Sequence, residues 1–320
     1  MTTAGQGTDS PAATADHIPA AHPGAHAAPG GTATLAGREV ARIGFGAMQL
    51  GQRTADRSAA LAILRQAVRA GVDHLDTAQF YDGCNALIRE ALSPYPDDLM
   101  LVTKVGADRD GNGKLVPGQR PEQLRAQVEA NLATLGVEQL GVVNLRRADA
   151  APGIVAEGDQ LVDLDDQLAE LAALRDAGKI GGLGLSNVSA DQLGRALPAG
   201  IACVQNLYSV LDRTSEPVLD RCRQHGIAWV PFFPLGSALP NQPRVTDNPT
   251  VRAVAAEIGA SPAQVGLAWL LAHDDGTLLI PGTADPAHLD ENIASGSVRL
   301  PTASVAALDT LAPLTHDPHR

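Results

Sequence analysis

The chain has 320 residues, of which 44% are hydrophobic and 19% are charged, and its formal net charge at pH 7 is −12. This hydrophobic content supports a large core and excludes global disorder, and the length allows one large domain or two ordinary ones. The acidic excess disfavours binding to nucleic acid or to anionic membranes, and no apolar run approaches the ~20 residues of a membrane span.

The amino-terminal segment, residues 1–35, is rich in Ala, Thr, Gly, Pro and His and shows no hydrophobic periodicity. Because this composition cannot build a core, we predict a disordered tail before a single domain at 36–320. The segment also lacks the basic start and continuous apolar stretch of a signal peptide. The three cysteines form no CxxC pair, which disfavours a disulfide scaffold or a zinc site. These features predict a cytoplasmic protein that binds no metal.

From residue 41 onward, short apolar or β-branched runs alternate with longer segments of helical periodicity. Eight strands alternating with helices over about 280 residues predict an α/β fold of the (β/α)8 TIM-barrel type. A doubly wound sheet is the alternative, but it needs a Gly-rich turn, and the chain contains no GxGxxG. The predicted strands are 41–46, 73–76, 99–104, 141–145, 181–185, 202–205, 227–231 and 277–280, and the predicted helices are 57–70, 84–92, 121–135, 161–177, 189–196, 215–224 and 250–272, the last with a break at Gly259.

Polar side chains follow nearly every predicted strand, at the point where barrel enzymes carry their chemistry. Lys104 closes a buried apolar run, and Asp76 on the neighbouring strand is its natural counter-charge. The 24 basic residues include only three lysines, which favours a role at Lys104 that arginine would not serve. A buried Asp–Lys pair beside Tyr81 is predicted to lower the pKa of that phenol from about 10. The alternatives are a Lys104 that extends to the rim and a Tyr81 that only packs.

Three other features receive structural interpretations. The segment 108–119 begins like a calcium loop, but Gln119 stands where a bidentate Glu is needed, so a flexible active-site loop is predicted. His74, in a buried strand, is interpreted as a hydrogen-bonded core histidine. Cys203 is interpreted as a small core residue.

Six segments stand in order along the chain: GVDHLDTAQFY (71–81), VTKVG (102–106), GKIGGLGLSNVS (178–189), VQNLYS (204–209), PFFPLG (231–236) and LIPGTADPAHLDEN (279–292). They resemble the signatures of the aldo-keto reductase superfamily, and the resemblance extends over about residues 40–311, almost all of the chain except the tail. GAMQL (46–50), VVNLR (142–146) and VPFFPLG (230–236) are most similar to a bacterial subgroup that includes a pyridoxal reductase.

The resemblance implies a barrel oxidoreductase with a catalytic tetrad of Asp, Tyr, Lys and usually His. Asp76, Tyr81 and Lys104 match the first three, so Tyr81 is the expected proton donor to a substrate carbonyl. Arg146 stands where the His would be, and it can only orient the carbonyl or bind an anionic group of the substrate. The alternative for Arg146 is that it turns away and pairs with Asp149.

The same resemblance implies a nicotinamide cofactor, with NADPH expected ahead of NADH. Phe232 falls where the family usually has a Tyr stacked on the nicotinamide ring, and a Phe can stack equally well. Gly282 and His288 stand where many members have a Lys and an Arg at the 2′-phosphate. The expected contacts are Ser186, Asn187 and Gln205 for the carboxamide, backbone near Leu235 and Gly236 for the pyrophosphate, and Gly282, Thr283, His288, Glu291 and Asn292 on the adenosine side.

We therefore expect reduction of an aldehyde, pyridoxal or a similar aromatic aldehyde, to its alcohol. The expected partner is a small-molecule carbonyl substrate, with no nucleic acid, membrane or protein partner. One alternative is reduction of a C=C or C=N bond in a secondary metabolite, since replacing the tetrad His is one way the family changes reaction type. Another is a redox sensor that holds NADPH with little turnover, which the intact Asp76, Tyr81 and Lys104 disfavour.

Overall fold

A parallel sheet forms the centre of the structure. The structure is a computed structural model that describes residues 27–53, 56–150, 153–236 and 243–311. The central strands of the sheet are buried on both faces, as in MLVTKV at 100–105, which is typical of a parallel sheet covered by helices. The strands are β1 (Thr32–Leu35), β2 (Arg38–Ala41), β3 (Phe45–Gly46), β4 (His74–Asp76), β5 (Met100–Val105), β6 (Ala107–Arg109), β7 (Leu115–Pro117), β8 (Leu140–Arg146), β9 (Ile180–Ser186), β10 (Ile201–Gln205) and β11 (Ala228–Trp229).

The sheet has seven strands in the order β11-β10-β9-β8-β5-β4-β3. The segment 277–280 closes it into a barrel, because isolated bridges join this segment to β11 on one side and to the residues before β3 on the other. The Leu278 amide donates to the Trp229 carbonyl at 2.8 Å, and the Gly44 amide donates to the Leu279 carbonyl at 2.7 Å. The predicted (β/α)8 barrel is confirmed.

The predicted strands differ most from the observed ones at the seam, where the segment 277–280 closes the barrel between β11 and β3. The predicted strand 41–46 is divided, since Arg38–Ala41 belongs to a hairpin and only Phe45–Gly46 joins the sheet. The eighth predicted strand, 277–280, is held by bridges and not by a continuous ladder. The seam closes tightly around glycine, because a Cβ on Gly46 would lie 2.6 Å from the carbonyl oxygen of Ile280.

Helices cover the outside of the barrel. In the helix at 121–135, Pro121 occupies the first turn, the leucines at 124, 132 and 135 are buried, and Gly136 ends the helix with a φ of 72°, the left-handed conformation that glycine favours. The predicted bounds 84–92 and 121–135 are confirmed. The helices are α1 (Met48–Arg53), α2 (Arg57–Arg69), α3 (Cys84–Leu92), α4 (Pro121–Leu135), α5 (Leu164–Asp176), α6 (Ala190–Ala196), α7 (Glu216–His225), α8 (Pro249–Ile258), α9 (Pro262–His273), α10 (Pro286–Ala294) and α11 (Thr302–Asp309).

Several helices differ from the predicted ones. The helix predicted at 161–177 begins at Leu164, because the Asp163 carboxylate caps the amide of Asp165. The break at Gly259 is confirmed and separates α8 from α9. The short helices α1, α10 and α11 were not predicted. Across the described ranges no single helix is long and apolar enough to cross a membrane, and α8 and α9 pass that test only as a pair bent by 93°.

A hairpin of β1 and β2 covers the amino-terminal end of the barrel interior. Leu35 and Val40 are 2% and 1% exposed and pack in one cluster with Met100 and Val102 from the inner face of β5. The predicted end of the tail at residue 35 is therefore wrong, because Leu35 is a buried anchor of a paired strand. Residues 1–26 of the predicted tail lie outside the described residues.

The segment after β5 is a second hairpin, formed by β6 and β7, and not the flexible loop that was predicted. The Asp110 carboxylate accepts the amides of Asn112 and Lys114 at 2.9 Å each, so it closes the turn. In the part of the chain that the structure describes, no group of three or more His, Cys, Asp and Glu side chains could hold a metal ion.

The interpretations of His74 and Cys203 as core residues are confirmed. Cys203 is fully buried inside the barrel. His74 is 1% exposed, and its Nε2 lies 3.0 Å from the carbonyl oxygen of Ala41. Burial lowers the pKa of His74 to about 4, so the imidazole is neutral at pH 7 and Nε2 donates to that carbonyl.

The free energy of unfolding should therefore fall as the pH drops from about 6.5 to about 4. In this range the unfolded chain binds a proton at residue 74 that the folded protein excludes, so the stabilisation is present above pH 6.5 and lost toward pH 4. Between pH 7 and pH 5 the loss from this residue is about 2 kcal/mol. Urea denaturation of the wild type and of His74→Gln at both pH values measures it, and an equal pH-dependent loss in the two proteins would contradict the assignment.

Candidate active site

Five polar side chains meet at the carboxyl ends of neighbouring strands. The ladder pairs Arg146 with Ser186 and Ser186 with Gln205, which brings these three into one row across β8, β9 and β10. Asp76 ends β4, and Lys104 lies one residue before the end of β5. Because parallel strands end at one rim of the barrel, residues from distant parts of the sequence are assembled there.

Lys104 and Asp76 form a buried ion pair, with residue exposures of 6% and 3%. The Lys104 ammonium donates to Asp76 Oδ1, and the other oxygen, Oδ2, accepts Gln205 Nε2 at 2.7 Å. Burial lowers the pKa of Lys104, but Asp76 and Tyr81 outweigh it and hold the pKa above its usual value. Lys104 is therefore a buried cation, and the alternative of a lysine extended to the rim is wrong.

Tyr81 lies on the loop after β4, with its ring centroid 5.2 Å from the Lys104 ammonium. At this distance the Lys104 charge acts to lower the pKa of the Tyr81 phenol. Arg109 on β6 holds this loop, because its Nε donates to the Phe80 carbonyl at 2.9 Å and pairs with Asp82 at 3.0 Å. Phe80 packs edge-on against the Tyr81 ring at 5.1 Å. The hairpin after β5 thus fixes the phenol beside the ion pair.

The pKa of Tyr81 is raised above 10, which corrects the predicted direction. Burial is the largest cause, and the Asp76 carboxylate adds to it. Lys104 and Arg146 act in the opposite direction but do not offset it. The loss of hydration destabilises the phenolate more than the two nearby cations stabilise it, so the resting phenol keeps its proton.

Arg146 lies next to this phenol and next to Phe232. Its guanidinium carbon is 5.9 Å from the Phe232 ring centroid, and its charge lowers the pKa of Tyr81. The alternative prediction paired Arg146 with Asp149. In the structure the neighbouring Arg147 binds the Asp149 carboxylate, with Nε and Nη2 donating at 2.8 and 2.6 Å. Arg146 therefore adds a second cation to the site.

Ser186 and Gln205 each carry a polar atom suited to a ligand. Both residues are at most 1% exposed. Ser186 Oγ and Gln205 Oε1 have no hydrogen-bond partner within the described structure, and an unsatisfied buried polar group costs about 1–3 kcal/mol. A hydroxyl and an amide oxygen on paired positions match the donors and acceptor of a carboxamide. The two residues therefore fit the predicted nicotinamide group.

The other residues that were predicted to contact the nicotinamide or the pyrophosphate are already used in part by the protein itself. Asn187 has a φ of 58°, and its Nδ2 donates to the carbonyls of Ala150 at 2.9 Å and Arg147 at 3.3 Å, so this amide fastens the loop after β8. The Gly236 amide donates to the Phe233 carbonyl at 2.9 Å and closes a turn. Leu235 is half-buried in the same turn, and Phe232 is half-buried at the mouth of the barrel.

The predicted adenosine side surrounds the start of α10. A Cβ on Gly282 would lie 2.2 Å from the Gly46 carbonyl oxygen, so glycine is required by packing. Thr283 Oγ1 accepts the amide of Asp285, which in turn caps α10. His288 is exposed in the first turn of α10, Glu291 is half-buried, and Asn292 is 8% exposed.

Buried amide side chains behind the sheet support the site and were not predicted. Thr103 donates to Asn131 Oδ1 at 2.7 Å, Asn131 Nδ2 donates to Gln79 at 3.1 Å, and Gln79 donates to the Ala107 carbonyl at 2.8 Å. This series of hydrogen bonds connects the loop of Tyr81 to β6. The signal was present in α4, where Gln127 and Asn131 interrupt an otherwise apolar face at a spacing of four.

Residues 42–313 match the aldo/keto reductase family, and the chain belongs to this family of oxidoreductases. It is 41% identical over 289 residues to pyridoxine 4-dehydrogenase of Escherichia coli (strain K12), covering 88% of this chain and 98% of that protein. An aldo-keto reductase from Klebsiella pneumoniae in complex with NADPH superposes with a TM-score of 0.74 at 25% identity, covering 90% of this chain and 97% of that one. A Klebsiella pneumoniae aldo/keto reductase with NADP and acetate gives a TM-score of 0.73 at 26% identity, with coverages of 88% and 95%.

Proposed function

We propose that this protein reduces an aromatic aldehyde of the pyridoxal type to its alcohol, with NADPH as reductant and Tyr81 as proton donor. The observation that carries the proposal is the position of Tyr81, whose ring centroid lies 5.2 Å from the ammonium of the buried Lys104–Asp76 ion pair. The Escherichia coli relative is a pyridoxine 4-dehydrogenase, and dehydrogenation of an alcohol is the reverse of aldehyde reduction.

The cofactor supplies a hydride to the carbonyl carbon when it is bound. Ser186 Oγ and Gln205 Oε1 would hold its carboxamide, since both atoms are buried and without a partner among the described residues. Phe232 would provide an aromatic face for its ring. The turn at Leu235 and Gly236 and the segment 282–292 would hold the remaining groups.

Tyr81 moves the proton in this proposal. Its raised pKa keeps the phenol protonated at neutral pH, as a general acid requires. When the carbonyl carbon accepts hydride, the Tyr81 O–H bond breaks and the alcohol O–H bond forms. The negative charge is then left on the Tyr81 oxygen, where Lys104 and Arg146 favour it. The two cations thus act on the charge that develops during the reaction.

The surroundings of Tyr81 support an aromatic substrate with an anionic substituent. Arg146 offers a fork of donors that matches a phenolate or a carboxylate, and the Phe232 ring lies beside it. An aromatic ring can pack on the apolar cluster next to Tyr81. This cluster consists of Ala78, Phe80, Ala107, Leu115 and Ile154.

Tyr81→Phe should lower kcat by about 100-fold or more, because it removes the proton donor and keeps the ring. The dissociation constant of NADPH should stay within about twofold, since the phenol is not assigned to cofactor binding. Tyr95→Phe is the matched control, because the Tyr95 hydroxyl donates to the Leu135 carbonyl at 2.7 Å, outside the site. Wild-type turnover in Tyr81→Phe, with hydride transfer rate-limiting, would show that Tyr81 is not the acid.

NADPH should bind about tenfold or more tightly than NADH, because a hydrogen bond to a charged group contributes ~1.5–3 kcal/mol. The motivation is His288, which is exposed in the first turn of α10 and follows Thr283 on the preceding loop. Quenching of protein fluorescence gives both dissociation constants, and His288→Gln should reduce their ratio. Equal constants in the wild type would overturn the preference.

Arg146→Ala should lower kcat/KM for meta-carboxybenzaldehyde more than for benzaldehyde, by ~1–3 kcal/mol. The carboxylate loses a half-buried cation, whereas benzaldehyde presents no anionic group to it. Arg146→Lys keeps the charge and should retain part of the discrimination. An equal, small effect of Arg146→Ala on both aldehydes would show that Arg146 does not contact the substituent.

A further inference from the structure

Gln119 connects the ends of two neighbouring strands beside the site. Its Nε2 donates to the Gly106 carbonyl at 2.5 Å and to the Arg146 carbonyl at 2.8 Å. The last ladder pair between β5 and β8 joins Val105 to Leu145, so both carbonyls belong to the residues just beyond it. The side-chain amide of Gln119, which is 1% exposed, thus extends the pairing of the two strands by one step.

The glycine at position 106 is required by this contact. Gly106 has a φ of 102°, a conformation that side chains other than glycine rarely adopt. A Cβ there would lie 2.3 Å from the Arg146 carbonyl oxygen and 2.8 Å from Gln119 Nε2. The close approach of these three residues is therefore built into the backbone.

A second buried glutamine fixes Gln119 from behind. Gln167 Nε2 donates to the backbone oxygen of Gln119 at 2.6 Å and to its side-chain oxygen at 3.0 Å. Gln167 Oε1 accepts the guanidinium of Arg147, which also holds Asp149. The network therefore restrains the backbone carbonyl of Arg146 through Gln119 and the side chain of the following residue, Arg147, through Gln167. Ordering a long side chain costs conformational entropy, and a fixed backbone at Arg146 reduces what remains to be ordered when an anion binds.

We propose that Gln119 is a positioning residue that fixes Arg146 and thereby sets how strongly the site prefers anionic aldehydes. The inference rests on the proposed role of Arg146 in substrate choice. Gln119 acts through the Arg146 carbonyl and not on the substrate. The network offers a matched control in Gln127, which is 3% exposed and accepts the Gly106 amide at 2.6 Å and donates to the Gly118 carbonyl at 3.1 Å.

The test compares Gln119→Met with Gln127→Met, each in the wild type and in Arg146→Ala. The readout is the ratio of kcat/KM for meta-carboxybenzaldehyde to kcat/KM for benzaldehyde. Gln119→Met should lower this ratio about fivefold or more and should not lower it further in Arg146→Ala. Gln127→Met should leave the ratio within about twofold although it also removes two buried hydrogen bonds. Gln119→Asn, whose shorter amide cannot reach both carbonyls, replaces Gln119→Met if that variant does not fold.

An unchanged ratio in the Gln119 variant, with a lowered ratio in Arg146→Ala, would overturn the inference and leave the proposed substrate class intact. An equal shift in both glutamine variants would also overturn it, because it would show a general structural effect. If Arg146→Ala itself leaves the ratio unchanged, the proposed substrate class fails. The claim about substrate preference fails with it, and the crystal structure of the Gln119 variant then tests the positioning role alone: Arg146 displaced from Phe232 supports that role, and Arg146 in place overturns it.

Discussion

The ion pair between Lys104 and Asp76 is the interaction on which the rest of the site depends. Removing two charges from water is costly, and such a pair is stable only when the remaining hydrogen-bonding capacity is met. Gln205 meets it by donating to the second carboxylate oxygen. This donation uses the nitrogen of the Gln205 amide and leaves its oxygen without a partner in the described structure. The ion pair thereby fixes the Gln205 amide, whose oxygen is the acceptor that we propose for the nicotinamide carboxamide.

Burial and charge have opposite effects on Tyr81, and both are useful to a proton donor. Burial and Asp76 keep the phenol protonated, whereas Lys104 and Arg146 favour the anion that remains after the proton has left. An acid in water would gain the same stabilisation only by reorganising solvent, whereas these cations are fixed before the reaction. Arg146 takes the position where the resemblance places a histidine. It adds charge and is proposed to contact the substrate, but it cannot act as a second acid.

The barrel and the ion pair could be predicted from the sequence, because both follow from periodic apolar runs and from a charged residue at the end of such a run. The sign of the Tyr81 pKa shift could not be predicted from the sequence, since it depends on the balance between burial and two cations. The strand at Thr32–Leu35 was missed because a single buried residue, Leu35, anchors it within a polar segment. The role of Gln119 follows from hydrogen bonds to two strands that are distant in the chain, and no local pattern encodes it.

Titration of Tyr81 in the wild type and in Lys104→Met tests most directly whether the buried Lys104–Asp76 pair acts on the phenol. The chain has only three tyrosines, so 13C labelling at Cζ resolves each phenol by NMR, and the signals of Tyr95 and Tyr208 report whether the fold is intact. Lys104→Met should raise the pKa of Tyr81, so that at a given alkaline pH the variant contains less phenolate at this residue than the wild type. An unchanged or lower pKa of Tyr81 in the variant would show that the Lys104 charge does not favour the phenolate.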